Sequence, residues 1–288
     1  MAEIVVVGAS GLVGSHLVAS LGGSADLVSV SRRPPSGLGS TVRHQSLDLG
    51  MPWSSDELPK TSNSVIFLAQ SEFLRDFPRR AKNIFAVNTS SVVGMLDYAR
   101  ESGAKTFVFA SSGGIYGPEQ DERIEKIPVA ARGDLGFYLS TKLCSEILVE
   151  AYSSIFNIVI LRIFFAYGKG QHPNMLIPRL VGRIKRREPV YLDGEDGITL
   201  NPVHVSDVVR SIEASLSLAG VNKVNVAGSE IFNIRDLCML IGARLGTEPV
   251  FEVRDVVGST SLVGDVSVMS RLLGAPERSF AVGLEDVL

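Results

Sequence analysis

The 288-residue sequence contains only two cysteines, Cys144 and Cys238, and only four histidines. Two cysteines cannot form a disulfide framework, and no cluster of His, Cys and carboxylate residues has the spacing of a metal site. Both cysteines fall in apolar helical stretches, which predicts buried free thiols. No metal is therefore predicted.

The sequence also lacks an excess of charge of either sign. Lys and Arg total 28 against 31 Asp and Glu, a net charge of −3, which gives no electrostatic basis for binding nucleic acid or an anionic membrane. The most apolar stretch, residues 155–167, is interrupted by Asn157 and Arg162 and is shorter than the ~18 residues of a transmembrane helix. The chain begins without a basic segment or a small-residue cleavage site. We therefore expect a cytoplasmic protein with neither a nucleic-acid nor a membrane partner.

The sequence does contain a regular alternation of short apolar runs and helical periodicity. Such alternation is typical of a parallel sheet covered by helices on both faces. It predicts an α/β fold with a Rossmann-like, doubly wound parallel sheet. The predicted strands are residues 3–7, 27–30, 65–68, 106–110 and 157–163, and the predicted helices are residues 12–21, 77–102 and 138–156.

After residue 168 the sequence has more glycine, proline and charge. Helices are predicted near residues 176–187, 206–218, 233–245 and 267–273, with a strand at 223–226. We therefore assign residues 1–168 to a dinucleotide-binding domain, with residues 203–228 rejoining it. Residues 169–202 and 229–288 are assigned to a smaller, mixed α+β substrate lobe.

A glycine-rich loop connects the first predicted strand to the first predicted helix. Its spacing, G-x-x-G-x-x-G from Gly8 to Gly14, meets the physical needs of a dinucleotide site: a tight turn, close backbone approach to a pyrophosphate, and close packing of helix on strand. The backbone N–H groups and dipole of the helix would hold the anion. The candidate cofactor contacts in this loop are Gly8, Ser10, Gly11, Leu12, Val13 and Gly14.

The end of the second strand bears on the choice of cofactor. An acidic residue there would bind the ribose hydroxyls of NAD, whereas arginine accommodates the 2′-phosphate of NADP. The sequence places Ser31, Arg32 and Arg33 there, so NADP is favoured over NAD; the alternative is a solvated basic turn. Further candidate contacts follow the next two strands: Asp48 and Leu49 beside the adenine, and Leu68, Ala69 and Gln70 alongside the dinucleotide.

A tyrosine and a lysine, Tyr138 and Lys142, lie one turn apart on a predicted helix. Because a neighbouring ammonium favours the phenolate, Lys142 is expected to lower the pKa of Tyr138 from its usual value of ~10. Lys142 is also placed to bind the nicotinamide ribose. Ser112, at the end of an upstream strand, is placed to orient a substrate oxygen against Tyr138.

With these motifs in this order, the sequence resembles the extended short-chain dehydrogenases/reductases, the NAD(P)-dependent sugar epimerases, dehydratases and reductases. The resemblance covers almost the whole chain and rests on the following segments: Gly8 to Gly14, Ser111 to Gly117, Tyr138 with Lys142, Leu161 to Phe164, Tyr167-Gly168, Ile177-Pro178, Val203 to Val208 and Gly264-Asp265.

The resemblance implies catalysis by Ser112, Tyr138 and Lys142 on a sugar, most simply as a nucleotide-sugar 4-ketoreductase or epimerase. Tyr138 would exchange a proton with the substrate oxygen while a hydride moves between the sugar carbon and the nicotinamide. Related dehydratases carry an acidic residue just after the catalytic Ser/Thr, where this chain has Gly113-Gly114. A 4,6-dehydratase is therefore not expected.

Two further differences from the family pattern concern substrate binding. Many relatives have an asparagine where this chain has Phe165, and a diphosphate-binding arginine where it has Leu200. Arg254 resembles the second diphosphate arginine of the family, and Asn174 and Arg179 are further substrate candidates. A nucleotide sugar is the first expectation, and a carbonyl or alcohol without a diphosphate is the alternative.

A non-enzymatic NAD(P)-binding regulator is an alternative from another functional class. Such proteins typically lack part of the Ser, Tyr and Lys set, which is complete here. Relatives often form homodimers through a four-helix bundle, which residues 77–102 and 138–156 could supply.

Overall fold

The computed structural model describes residues 3–23, 26–39, 41–117, 125, 129, 133–255 and 261–288. In these ranges the chain forms a seven-stranded parallel sheet in the order β3-β2-β1-β4-β5-β6-β9. The strands are β1 (Ile4–Val7), β2 (Leu27–Ser31), β3 (Arg43–Ser46), β4 (Ser64–Phe67), β5 (Thr106–Ser112), β6 (Asn157–Ile163) and β9 (Val221–Val226). This order confirms the Rossmann-like fold.

Helices cover both faces of the sheet because the β-branched strands bury side chains on both sides. Leu17 of α1 (Leu12–Leu21) and Ile212 of α6 (Val205–Ser215) belong to one core cluster. Met95 of α3 (Ser91–Glu101) and Val149 of α4 (Gly136–Glu150) belong to the other. The remaining helices are α2 (Ala81–Phe85), α5 (Leu176–Lys185), α7 (Ile234–Leu245), α8 (Ser267–Leu272) and α9 (Phe280–Leu284).

The C-terminal part builds two small sheets around a separate apolar cluster. The first has the strand order β10-β8-β12 and the second pairs β11 with β7. Their strands are β7 (Val190–Asp193), β8 (Thr199–Leu200), β10 (Phe232–Asn233), β11 (Phe251–Arg254) and β12 (Ser261–Leu262). The cluster packs α5 against α7 through Leu180, Ile184, Leu237 and Ile241. The predicted strand near residues 223–226 is present as β9, which pairs with β6 in the main sheet.

Three details differ from the sequence-based predictions. The helix predicted over residues 77–102 contains a π-helical segment, Ala86–Ser90, between α2 and α3. The helix predicted from Ser206 begins at Val205, because the ring nitrogen Nδ1 of His204 accepts the N–H of Ser206 and caps it. Cys144 is exposed on α4, whereas Cys238 is buried as predicted.

Phe165, which replaces the asparagine of many relatives, has a φ of +42°. Asparagine tolerates this left-handed region better than a bulky residue does. The partly buried ring packs against two apolar clusters, one of which contains Phe164. This packing holds the phenylalanine in a backbone conformation that it rarely adopts.

Candidate active site

The glycine loop at the carboxyl end of β1 is shaped by positions that exclude a side chain. Gly8 has a φ of +87°, and a Cβ there would lie 2.6 Å from the backbone N of Ala69. A Cβ on Gly14 would lie 2.3 Å from the carbonyl O of Gly8. Gly11 precedes α1 in an extended conformation without a side-chain cap. The first N–H groups of α1 are therefore open to an anion, and the loop fits the pyrophosphate of a dinucleotide.

At the end of β2, a carboxylate from another loop joins the predicted basic turn. The hydroxyl of Ser31 donates to the carbonyl O of Arg33 at 2.7 Å. Arg32 Nη1 donates to Glu72 Oε1 at 2.5 Å, and both side chains are about half exposed. No carboxylate was predicted at this turn because Glu72 lies 40 residues further along the chain, in the loop after β4.

The other predicted cofactor residues lie at the same sheet edge. Asp48 is exposed after β3 and accepts the N–H of Gly50 at 2.9 Å, and Leu49 beside it is buried. Leu68, Ala69 and Gln70 follow β4, where the Leu68 N–H donates to the carbonyl O of Val7 at 2.8 Å. These contacts tie the loop after β4 to the glycine loop after β1.

The phenol of Tyr138, on the first turn of α4, meets residues from two strand ends. Its hydroxyl donates to Gln70 Oε1 at 3.0 Å. Burial raises the pKa of Tyr138 to about 12, while the hydroxyl of Ser112 acts in the opposite direction. Ser112 Oγ also accepts the N–H of Gly114 at 3.2 Å, which fixes the turn after β5. Ser112, Gln70 and Tyr138 thus converge on one point.

Lys142 lies deep beneath this point, with a side chain that is almost fully buried. Its Nζ donates to the carbonyl O of Ala110 at 2.9 Å and lies 5.1 Å from the centre of the Phe109 ring. The structure does not support the expected lowering of the Tyr138 pKa by Lys142. Burial raises the phenol pKa instead, and the ammonium is directed to the end of β5.

Burial lowers the pKa of Lys142 to about 8, while the carboxylate of Glu146 acts to raise it. An unfolded lysine has a pKa of ~10.4, so between these values the unfolded state binds more protons. The contribution of this group to stability therefore rises as the pH increases through that window. We expect NMR of 13Cε-lysine-labelled protein to give a titration near pH 8 that is absent in Lys142→Met. A midpoint above pH 10 would contradict the assignment.

Asn88, in the π-helical segment, links the loop after β4 to α4. Its Oδ1 accepts the N–H of Ser71 at 2.9 Å, and its Nδ2 donates to Thr141 Oγ1 at 3.0 Å. Its carbonyl O accepts the hydroxyl of Ser145 at 2.7 Å. These contacts fix the loop that carries Gln70 relative to α4.

A buried ion pair supports α4 from the sheet side, and the sequence analysis missed it. Arg162 of β6 donates to both carboxylate oxygens of Glu146, at 3.2 and 2.8 Å. Its Nη1 also donates to the hydroxyl of Tyr116 at 2.7 Å. An arginine inside an apolar strand was the available signal, because a charge at such a position requires a partner.

The substrate candidates fall into two groups of contacts. Arg179 of α5 is near two other guanidinium groups, and burial, Arg75 and Arg183 all lower its pKa. Arg75, which the sequence analysis did not select, donates to the carbonyl O of Asn174 at 3.3 Å. Arg254 of β11 instead stacks on the ring of Tyr191, with its guanidinium carbon 4.4 Å from the ring centre.

Two negative observations apply to the described part of the chain. It contains no group of three or more His, Cys, Asp and Glu residues able to hold a metal ion. None of its helices has the length and apolar character needed to cross a membrane.

Two comparisons with solved structures bear on this site. MoeE5 in complex with UDP-glucuronic acid and NAD superposes with a TM-score of 0.86 and 27% identity, covering 99% of this chain and 97% of that one. The UDP-glucose 4-epimerase of Thermus thermophilus in complex with NAD, at 22% identity and a TM-score of 0.82, shares the fold. Its superposition covers 99% of this chain and 97% of that one.

Sequence comparisons give relatives that include epimerases, reductases and dTDP-D-glucose 4,6-dehydratases. An uncharacterized UDP-glucose epimerase, YtcB of Bacillus subtilis, is 30% identical over 65% of this chain, which matches 60% of YtcB. A dTDP-4-dehydro-6-deoxy-D-allose reductase of a Streptomyces species is 25% identical over 98% of this chain and 94% of its own length. The family model for the NAD dependent epimerase/dehydratase family matches residues 4–234. The chain belongs to this family, as its motifs predicted.

Proposed function

We propose that this protein is an oxidoreductase that uses a nicotinamide cofactor to act on a nucleotide sugar, as a 4-ketoreductase or an epimerase. The observation that carries the proposal is the convergence of Tyr138, Ser112 and Gln70 at the carboxyl edge of the sheet. Ligands of open α/β sheets bind at this edge. The glycine loop lies at the same edge, so a bound dinucleotide and the phenol would share one site.

In the proposed reaction Tyr138 is the acid or base and Ser112 positions the reacting oxygen. A bound nicotinamide cofactor supplies the hydride exchange with the sugar carbon. Because burial raises the pKa of Tyr138, the phenol of the cofactor-free protein is protonated at neutral pH and can donate to a carbonyl oxygen. Lys142, held by the Ala110 carbonyl, would bind the ribose beside this point.

The packing around Gly113 argues against water elimination. A Cβ on Gly113 would lie 2.4 Å from the ring of Phe164, which is almost completely buried. A side chain at position 113 therefore requires the Phe164 ring to move, which supports the expectation that the protein is not a 4,6-dehydratase.

We further propose that NADP is preferred over NAD. Arg32 and Arg33, at the end of β2, support this preference because guanidinium groups bind phosphate in a bidentate manner. Ser31 is buried beside them and anchors the turn. The matching family model is described as NAD dependent, so the proposed preference rests on the arginines of this chain alone.

For the substrate diphosphate we propose Arg179 with Arg75, near Asn174. Several like charges close together favour an anionic ligand, and the pKa of Arg179 is lowered first by burial and then by Arg75 and Arg183. Arg254, stacked on Tyr191, is proposed as a second contact for the diphosphate.

The alternative substrate is a carbonyl compound without a diphosphate, and Leu200 favours it. Leu200 is completely buried in the β10-β8-β12 sheet, opposite Phe232. The position used by many relatives for a diphosphate arginine is thus part of the apolar core here.

A substrate panel tests these proposals. We would incubate the protein with dTDP- and UDP-linked 4-keto-6-deoxy sugars plus NADPH or NADH, following absorbance at 340 nm. UDP-glucose and UDP-glucuronic acid would be analysed by NMR for epimerisation, and simple ketones would be the third arm. Turnover with the nucleotide sugars supports the proposal, and turnover with simple ketones alone supports the alternative. If no arm turns over while dinucleotide binds, the non-enzymatic alternative is favoured.

We also propose that the protein forms a cytoplasmic homodimer. α2, α3 and α4 are neighbours, and each exposes an apolar side chain: Phe85, Val93 and Ile147, the last 61% exposed. The same helices from a second copy would cover them.

Ile147→Glu is expected to convert this dimer to a monomer, because it places a charge in the covered face. Light scattering after size-exclusion chromatography measures the mass. Ile231→Glu, at an equally exposed isoleucine outside these helices, is the matched control and should leave the dimer intact. A monomeric wild type, or equal effects of the two variants, would contradict the proposed interface.

A further inference from the structure

The ion pair between Arg32 and Glu72 joins two loops that both border the cofactor site. Arg32 follows β2, and Glu72 lies two residues beyond Gln70 in the loop after β4. Both side chains are about half exposed. Exposed pairs of this kind contribute little to stability. Stability alone therefore does not account for the pair, and its position beside the cofactor site points to a functional role.

The charges around Arg32 are mixed in sign. The hydrogen bond to Glu72 raises the pKa of Arg32, and the nearby carboxylates of Glu72 and Asp48 add to this effect. In return, Arg32 lowers the pKa of Glu72, and Arg33 contributes in the same direction. Both members of the pair are therefore charged at neutral pH. The two arginines of the turn proposed to bind a 2′-phosphate therefore lie near two carboxylates from other loops.

We propose that Glu72 is a specificity-determining residue that reduces the preference for 2′-phosphorylated dinucleotides by competing with the phosphate for Arg32. The inference rests on the proposed use of a nicotinamide dinucleotide at this site. A 2′-phosphate approaching Arg32 must displace the Glu72 carboxylate or lie beside it, and like charges repel. A ribose 2′-hydroxyl carries no charge and can donate a hydrogen bond to the same carboxylate. Glu72 therefore opposes NADP and tolerates NAD.

The experiment compares dinucleotide binding in the absence of substrate. Dissociation constants for NADPH and NADH would be measured by fluorescence titration at fixed ionic strength. The proteins are wild type, Glu72→Gln, Arg32→Gln and the double variant. Glu101→Gln, which removes an exposed carboxylate that also pairs with an arginine, is the matched control for net charge. Thermal shifts with 2′,5′-ADP and 5′-AMP report on the 2′-phosphate alone.

Glu72→Gln is expected to tighten NADPH binding about tenfold, equivalent to ~1.4 kcal/mol, without tightening NADH binding. In the Arg32→Gln background the same substitution should have a smaller effect on the ratio of the two constants, because competition for Arg32 is removed and only the repulsion between Glu72 and the phosphate remains. The control should leave the ratio unchanged.

The role of Glu72 would be overturned if Glu72→Gln left the ratio of the NADPH and NADH dissociation constants within twofold of wild type. It would also be overturned if Glu101→Gln changed this ratio equally. The wild-type ratio is a separate result, since it tests the proposed preference for NADP. If NADH binds more tightly to wild type but Glu72→Gln still moves the ratio toward NADPH, the preference fails and the role of Glu72 stands. If neither dinucleotide binds, both proposals fail.

Discussion

Tyr138→Phe is expected to lower kcat by about 10²- to 10⁴-fold, the range that general acid–base catalysis contributes in enzymes. The substitution keeps the ring and removes the hydroxyl that donates to Gln70. Cofactor affinity should stay within a few-fold of wild type, because the glycine loop and Lys142 are unchanged. The measurement is kcat on the substrate found in the panel, together with fluorescence titration of the cofactor.

Tyr152→Phe is the matched control for this experiment. Tyr152 stacks on Phe156 beyond the end of α4, with ring centres 5.9 Å apart. Its substitution should leave kcat unchanged. A Tyr138→Phe variant that folds, binds cofactor and turns over at the wild-type rate would assign the proton transfer to another group.

The largest expected effect on stability comes from the ion pair between Arg162 and Glu146. Both side chains are no more than 3% exposed. Arg162→Met leaves the Glu146 carboxylate buried without its partner, and breaking a buried pair in this way typically costs about 3–5 kcal/mol. We expect a loss of that size in the free energy of unfolding, measured by urea denaturation. Arg100→Met, which breaks an exposed pair with Asp97, should cost far less, because solvent screens such a pair.

The double variant Arg162→Met with Glu146→Leu separates the cost of the unpaired buried charge from the cost of lost packing. Replacing both charges with apolar groups removes the uncompensated carboxylate, so it should be more stable than the single variant. Equal losses in the two variants would mean that packing around Tyr116, and not the charge, determines the cost.

The sequence predicted most of the central sheet because its strands are apolar and its glycine positions are sterically required. Gly8 and Gly14 each face backbone atoms, so the glycine spacing in the sequence reflects the geometry of the loop. β3 was the exception: a strand was expected before Asp48, but its bounds were not predicted, since its sequence, Arg43 to Ser46, is polar and only partly buried at the sheet edge. Such a strand has no hydrophobic periodicity to detect.

The parts of the site that were missed depend on contacts between distant segments. Glu72 meets Arg32 across 40 residues, and Arg162 meets Glu146 across 16. The predicted direction of the Tyr138 pKa shift was also wrong, because helical spacing identifies Lys142 as a neighbour but does not show that the phenol is buried. Local patterns identify residue types, whereas desolvation and long-range pairing are set by the assembled fold.

The close packing around Phe164 has an evolutionary consequence. The ring stacks on Tyr116 and is flanked by Gly113 and Gly264, and a Cβ on Gly264 would lie 2.7 Å from it. Any lineage that acquired a side chain at position 113 would first have to change residue 164, while a smaller residue there would leave a cavity between two glycines. We expect each single step to lower stability, so positions 113, 164 and 264 are expected to change together or not at all during divergence.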